Sequence, residues 1–441
     1  MRFTDLGFNA ILLPITAALY HCIPNKLKAA ALFLISILFF ALAEPKFVWI
    51  FAALIPDFIF SSRVDRIPAD RKSLYCRLLV IKDFVIMLIF GVMLPMAERR
   101  AAPFGVMLLC LTSIDHIVSR NREGFRPCTF FQSAAAVTFM ARMQHGPAGS
   151  VNSLVSQLQR PSASVSSMSR GIMYVISGIA KRVILSEQLF ALFKTISHIS
   201  PAEYSTALSW LCALCGGMGV YFTLSAYSDI ARGIACMFSL SLPRTVYFPF
   251  QAKNLRDHIY RLNMPLEDLL SRLLIPGRKR EQAAQINYLI SFMMPVIIAL
   301  FFSPSGGFLL WAIYMSALVI LDWLVMRHIP APITLLARII TFLITLPSYI
   351  LLLPAPLAHR LMMMVSLIPV SGDTLINNSA IYLISSNSFL LVIGIFFCTS
   401  ILDSLSHITQ KQFPQFWWAV STAMHTVLLI LTLSFLMWNV R

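Results

Sequence analysis

An all-α, polytopic transmembrane bundle of about 11–13 spans is the fold class this sequence predicts, and three observations predict it. Apolar runs recur along most of the chain, each long enough to approach the length of a membrane-crossing helix. The residues are 58% hydrophobic and only 12% charged, with a mean hydropathy of +0.76. A soluble globular chain carries about twice that share of charge. Lysine and arginine gather in the short polar breaks between runs, as expected of loops on the cytoplasmic side. Backbone groups in hydrocarbon must be satisfied within the segment, so helices are the expected spanning unit. The runs are continuous rather than alternating, which argues against a transmembrane barrel.

The elements follow in order. Residues 1–60 give three closely spaced apolar segments, broken at Pro24-Asn25-Lys26 and Glu44-Pro45-Lys46. A basic loop follows with Arg63, Arg66, Arg71, Lys72 and Arg77. The next span is expected over 78–96, with Lys82 and Asp83 near its start, where Lys82 is expected to snorkel to the interface. Residues 102–118 supply another span, and Arg120, Arg122 and Arg126 another basic loop. The run from Cys128 ends at Gly146-Pro147, with Arg142 and His145 in its last turn, where the helix dipole favours cations. A Ser-rich connection leads to a helix interrupted by Lys181-Arg182. Later spans are expected near 206–223, 286–303, 307–327, 334–353, 357–370, 380–402 and 416–438. Trp417, Trp418 and Trp438 bracket the last of these, as interfacial aromatics do.

A net charge of +16 invites a nucleic-acid reading, but basic loops facing anionic headgroups explain it more simply, so membrane lipids are the expected partner. The eight cysteines are scattered, mostly within apolar runs, where thiols act as small buried hydrophobes. Cys212 and Cys215 form a CxxC inside an apolar helix without ligand partners, so no metal or redox site is expected. A GxSxG elbow, a phosphate-binding glycine loop and zinc-ligand spacing are all lacking. No internal repeat, soluble domain or cleavable signal is evident, and residues 1–441 read as one integral membrane domain.

The stretch from Tyr221 to Gly277 is the polar island in this apolar chain. It holds Ser225, Tyr227, Ser228 and Asp229, and from Lys253 to Arg280, just past its end, come seven basic and three acidic residues. Such polarity is costly unless it lines a cavity or lies at the membrane surface. The residues read as the end of a span followed by a polar break. Pro243, Pro249, Pro265 and Pro276 forbid one continuous helix, so part of 243–280 is expected to lie along or dip into the membrane. The plainer reading is a basic loop without a site.

The block YFTLSAYSDIARGIACMFSLSLP resembles the signature of the bacterial membrane-bound O-acyltransferase (MBOAT) family, its alginate O-acetylase and D-alanyl transferase branches especially. DHIYRLNMPLEDLLSRLLIPG is similar to the family's next block, Asp-Phe-Trp-Arg-Arg-Trp-His with a leucine-rich run. HGPAG resembles its Gly-Pro segment, and SGIAKRVILSEQL its Gly-x-x-Lys-Lys helix. The resemblance covers roughly residues 1–325 and is strongest over 128–325, with 326–441 as additional C-terminal spans.

The resemblance implies re-entrant or interfacial helices around a central funnel in a bacterial inner membrane. It also implies acyl transfer from acyl-CoA or another thioester to a hydroxyl acceptor such as an envelope polysaccharide. Implied partners are a periplasmic acyltransferase-like or esterase-like protein, or a polysaccharide synthase. Such chemistry needs a base at the acceptor hydroxyl and donors for the oxyanion. The family's first histidine falls on Asn263, and its second, in a Leu-Trp-His-Gly block aligned through Trp311, falls on Phe302. A phenyl ring cannot take a proton. His258 and His145 are the remaining histidines near these blocks, each more simply read as structural. Tyr227, Ser228, Asp229, Arg261, Gly146 and Pro147 are the residues that the resemblance places around the funnel. A second reading stays open beside the enzyme: a non-catalytic scaffold or a conduit for acyl chains or lipid.

Overall fold

The computed structural model describes residues 7–93, 104–121, 127–143, 150–160, 165–200, 203–274, 280–302, 306–326, 334–369 and 374–439. Every regular element among them is helical. The first third holds α1 (Leu13–Cys22), α2 (Lys28–Ala43), α3 (Ile50–Ala53), α4 (Ile55–Arg63), α5 (Ala69–Leu88), α6 (Phe104–Asn121), α7 (Phe130–Thr138) and α8 (Val151–Gln159). The middle holds α9 (Val165–Ala180), α10 (Glu187–Ser197), α11 (Thr206–Met237), α12 (Leu255–Leu262), α13 (Met264–Leu274), α14 (Arg280–Phe302) and α15 (Gly306–Met326). The last part holds α16 (Thr334–Thr345), α17 (Leu357–Val365), α18 (Asn378–Ser386), α19 (Ser388–Phe397), α20 (Ile401–Gln412) and α21 (Pro414–Asn439).

The chain is an all-α, multi-pass membrane protein. Among the described residues, five helical stretches are long and apolar enough to cross a bilayer: Pro45–Arg66, Thr206–Met237, Gly307–Leu324, Leu335–Leu352 and Pro414–Phe435. A sixth arises if α18 and α19, bent by 66°, act as one span. The larger number read from the sequence also counts shorter apolar helices, such as Lys28–Ala43 and Ile286–Leu300. Proline and polar breaks cut the apolar runs into such pieces.

The axis of the fold is α11. Its first half, through Phe222, packs into an apolar cluster with α10, the 3-10 turn Leu346–Leu352 and the C-terminal helices. From Tyr227 onward it packs into a second cluster with the N-terminal helices. A third cluster wraps α12 to α15 around Ile259, Met294 and Trp311. Residues 223–226 therefore sit at the seam between two cores. Glycines let α9 lie close against this axis. A Cβ on Gly178 would stand 2.7 Å from the Ala226 carbonyl oxygen and 2.6 Å from Ile230 Cγ1.

Three expectations change here. The polar residues Tyr227-Ser228-Asp229 do not end a span, because α11 continues unbroken to Met237. Their polar groups are met sideways by other elements, so the helix has no need to stop. Lys82 does not snorkel: α5 begins at Ala69, which puts Lys82 well inside the helix, and its Nζ donates to Asp57 Oδ2 at 2.6 Å. Arg142 is not in the last turn of one helix run from Cys128. The helix breaks at Phe139, and Arg142 is 1% exposed, donating to the Ala136 carbonyl at 3.0 Å.

Candidate functional site

The site is assembled on α11 by its neighbours. After α9 the backbone makes a π-turn over Lys181–Ser186. One extra residue in the turn changes which side chains share a face, and such turns recur at functional sites. Here two consecutive cations both reach α11. Lys181 Nζ donates to Asp229 Oδ2 at 2.6 Å and to Ser225 Oγ at 3.0 Å. Arg182 Nη1 donates to Thr223 Oγ1 at 3.2 Å and to Ser186 Oγ at 2.9 Å. Arg232 Nη1 lies 3.4 Å from Asp229 Oδ1, and its guanidinium stacks over the Tyr174 ring at 4.3 Å. Asp229 thus sits between two cations, a buried carboxylate with its charge balanced.

Below this point α11 ends in a Schellman cap. Ser239 takes the left-handed conformation (φ 59°), and Leu240 N–H donates to the Ala235 carbonyl at 2.8 Å. The chain then runs extended to Phe248. Ser228 Oγ ties it to α11 by accepting from Thr245 N at 2.9 Å. Two short amphipathic helices follow, each started by an asparagine. Asn254 Oδ1 accepts from Asp257 N at 2.7 Å, and Asn263 Oδ1 accepts from Leu266 N at 3.3 Å. Asn263, expected from the resemblance at the family's first histidine, is therefore the corner between α12 and α13 and caps the latter.

His258 is fully buried on α12. Its Nδ1 lies 2.9 Å from the Pro249 carbonyl, which can only accept, so Nδ1 carries the proton. Burial pushes its pKa down to about 4, which leaves a neutral imidazole whose Nε2 meets no partner among the described residues. Arg261 Nε donates to Asp257 Oδ1 at 2.8 Å on the same helix.

Two cavities border these helices. One, of about 200 Å³, is walled by Val220, Thr223 and Leu224 of α11, Leu262 of α12, Ile298 of α14, and Phe308 and Trp311 of α15. Among the described residues, Arg182 is the one charged group in its lining. Trp311 is 4% exposed, and its Nε1 donor finds no acceptor among the described residues. The other recess, of about 460 Å³, is polar and includes Arg256, Asp257, Tyr260, Glu267 and Asp268. Burial raises the Glu267 carboxyl to about 7, opposed mainly by the charge of Arg256.

Of the residues expected at the site, the structure joins Asp229 to Lys181 and Ser228 to the segment leading into α12. Tyr227 is buried beside them on α11. Asn263 adjoins the cavity-lining Leu262, and Phe302 ends α14 four residues after the cavity-lining Ile298. His145, Gly146 and Pro147 lie outside the described residues, as does the side chain of Phe302. His258 and Arg261 are not among the lining residues of the apolar cavity. Sequence reasoning did not select Arg182, Thr223, Trp311 or Glu267. The signal for Arg182 was present in two adjacent cations within an apolar helix. No local pattern marks Thr223. Among the described residues, no group of three or more His, Cys, Asp or Glu is placed to hold a metal ion.

The chain is an all-α membrane bundle with the Tyr-Ser-Asp block on its central helix, a lysine paired to that aspartate and a small cavity nearby, and it resembles membrane-bound O-acyltransferases. Its relatives agree with that class. The chain is similar to a probable alginate O-acetylase of Azotobacter vinelandii, 23% identical over 292 residues that cover 61% of this chain and 58% of the relative. It is 24% identical to the probable alginate O-acetylase of Pseudomonas aeruginosa, covering 56% of this chain and 48% of the relative. It is also 24% identical to a peptidoglycan O-acetyltransferase of Helicobacter pylori, covering 42% of this chain and 36% of the relative. The matches to these curated relatives thus span between about a third and three-fifths of their length. No family model matches the chain.

Proposed function

We propose that this protein belongs to a system that O-acylates hydroxyls of an envelope polysaccharide at a bacterial inner membrane. The names of its relatives, alginate and peptidoglycan O-acetyltransferases, support that substrate class. The observation that carries the reading is the 200 Å³ apolar cavity lined by Arg182, Leu262 and Trp311. Its apolar wall suits a short acyl group, while Arg182 and the Trp311 Nε1 donor suit the oxygen of a thioester carbonyl. Acyl-CoA or another acyl thioester is the donor this arrangement fits.

The same cavity favours a second reading. Among the described residues, its lining includes no histidine and no carboxylate, so none of them offers a base where an acceptor hydroxyl would lose its proton. Phe302 stands where the family has one. The chain then holds or passes an acyl group, while a periplasmic acyltransferase-like or esterase-like protein, or a polysaccharide synthase, acts on it.

One experiment separates the two. The purified protein in nanodiscs is given radiolabelled acetyl-CoA and an envelope polysaccharide. Transfer that Asn263→Ala abolishes, with the fold intact, supports the enzyme. Transfer absent from the wild type but gained in Phe302→His supports the scaffold or conduit. If neither protein binds nor transfers the acyl group, both readings fail.

A further inference from the structure

We propose that Asp57, Asp83 and Ser113 form a binding site for one monovalent cation, a proton or a sodium ion, in the N-terminal half of the bundle. Asp57 on α4 is 1% exposed, and Asp83 on α5 is fully buried. A single ammonium serves both. Lys82 Nζ lies 2.6 Å from Asp57 Oδ2 and 3.0 Å from Asp83 Oδ1, and it also donates to the Ala53 carbonyl at 2.7 Å.

The remaining oxygens are left over. Asp57 Oδ1 and Asp83 Oδ2 meet no hydrogen-bond donor among the described residues. Ser113, on α6 and fully buried, faces both carboxylates without a well-formed hydrogen bond. The two carboxylates are themselves within hydrogen-bonding reach of each other. The groups that face this point from the packed elements are Asp57 of α4, Lys82 and Asp83 of α5, and the Cys110 thiol and Ser113 of α6. With both aspartates ionised, the cluster carries one uncompensated negative charge among apolar side chains.

A charge buried in that way is not tolerated unless it is neutralised. One positive charge closes the balance, and a divalent ion would overshoot it. The oxygens on hand are carboxylate and hydroxyl, which suit a hard ion or a proton held between two carboxylates. Ionisable residues inside a membrane bundle are rare and are candidates for ion or proton sites. The occupant joins α4, α5 and α6, and none of Asp57, Lys82, Asp83 or Ser113 lines the apolar cavity. The inference is therefore independent of the acyltransferase reading.

The full-length protein in nanodiscs tests it in two arms. In the first, sodium replaces choline at constant ionic strength. A sodium site raises Tm by about 1–2 °C for each tenfold above its Kd. Asp83→Asn should lose that rise. Because this change makes the cluster neutral, the variant is expected to fold. In the second, infrared spectra at pH 7 are taken with ordinary and with carboxyl-13C aspartate. A proton site gives an isotope-shifted carbonyl stretch of a protonated aspartic acid, lost in Asp57→Asn and in Asp83→Asn. The wild-type isotope effect is readable even if a variant misfolds. A sodium-independent Tm together with no protonated aspartate band overturns the proposal.

Discussion

Lys181, the first residue of the π-turn, meets Asp229 at 2.6 Å just past the seam between two apolar cores. The contact ties the end of α9 to the central helix close to the point where α11 passes from one core to the other. Asp229 also has Arg232, so the two partners are not equivalent. Asp229→Asn leaves two cations without a counter-ion, whereas Lys181→Met leaves Asp229 one cation. Breaking a buried pair costs about 3–5 kcal/mol, and the partial exposure of Lys181 puts this pair at the lower end. Thermal unfolding in detergent should show Asp229→Asn as the more damaging change. Equal losses would mean that Arg232 does not share the charge.

Gly178 allows the close approach of α9 to α11. An alanine there places its Cβ against the Ala226 carbonyl and the Ile230 side chain, and the carbonyl belongs to a helix that cannot give way locally. Gly178→Ala should cost about 1–3 kcal/mol through overpacking. A Tm unchanged from wild type would show that the helices separate freely.

Ser239 holds a left-handed conformation at the end of α11, and its buried Oγ has no partner among the described residues. Ser239→Gly removes the conformational strain and the orphaned hydroxyl together. The variant should gain on the order of 1 kcal/mol, after allowance for glycine's freedom in the unfolded chain. Denaturant or thermal unfolding reads the gain directly, and a loss would contradict the cap geometry.

Glu267 lies in the polar recess with its pKa raised from 4.5 to about 7, chiefly by burial. The folded state then holds a proton that the unfolded state releases between those values. Linkage makes stability fall as pH rises from about 4.5 to 7, then level off. Each pH unit between the two values is worth about 1.4 kcal/mol, so the whole change is on the order of 3 kcal/mol. Glu267→Gln should remove that component. Parallel Tm–pH curves for the two proteins would contradict it.

His425 connects α21 to α9. Its Nδ1 donates to the Ser421 carbonyl at 2.6 Å, which leaves Nε2 to accept from Ser177 Oγ at 3.0 Å. The rest of the span from Pro414 to Phe435 is largely exposed, so this bond is one of its few polar ties to other described helices. His425→Ala should cost about 1 kcal/mol and speed proteolysis of the C-terminal helices. Unchanged proteolysis would show that apolar packing alone seats α21.

Much of the site was legible in the residues, but only as parts. The block around Tyr227 that carries the resemblance could be read from residue order alone. Asn263 could be numbered but not understood: its side chain caps α13, which depends on the chain breaking at that residue. The expectation for Lys82 failed because its partner is remote in the chain. A charged residue in an apolar run looks interfacial until its partner is known, and Asp57 lies 25 residues from Lys82.

The sequence by itself determined the membrane, the helices and the resemblance, because hydropathy and local motifs are properties of short segments. The tertiary structure decided which charges are paired, where the cavity opens and which helix is the axis. Those outcomes depend on residues far apart in the chain, such as Lys181 paired with Asp229, or Leu262 and Trp311 walling one cavity. In an apolar bundle, the position of each polar group follows from where another polar group can reach it, and only the fold brings the two together.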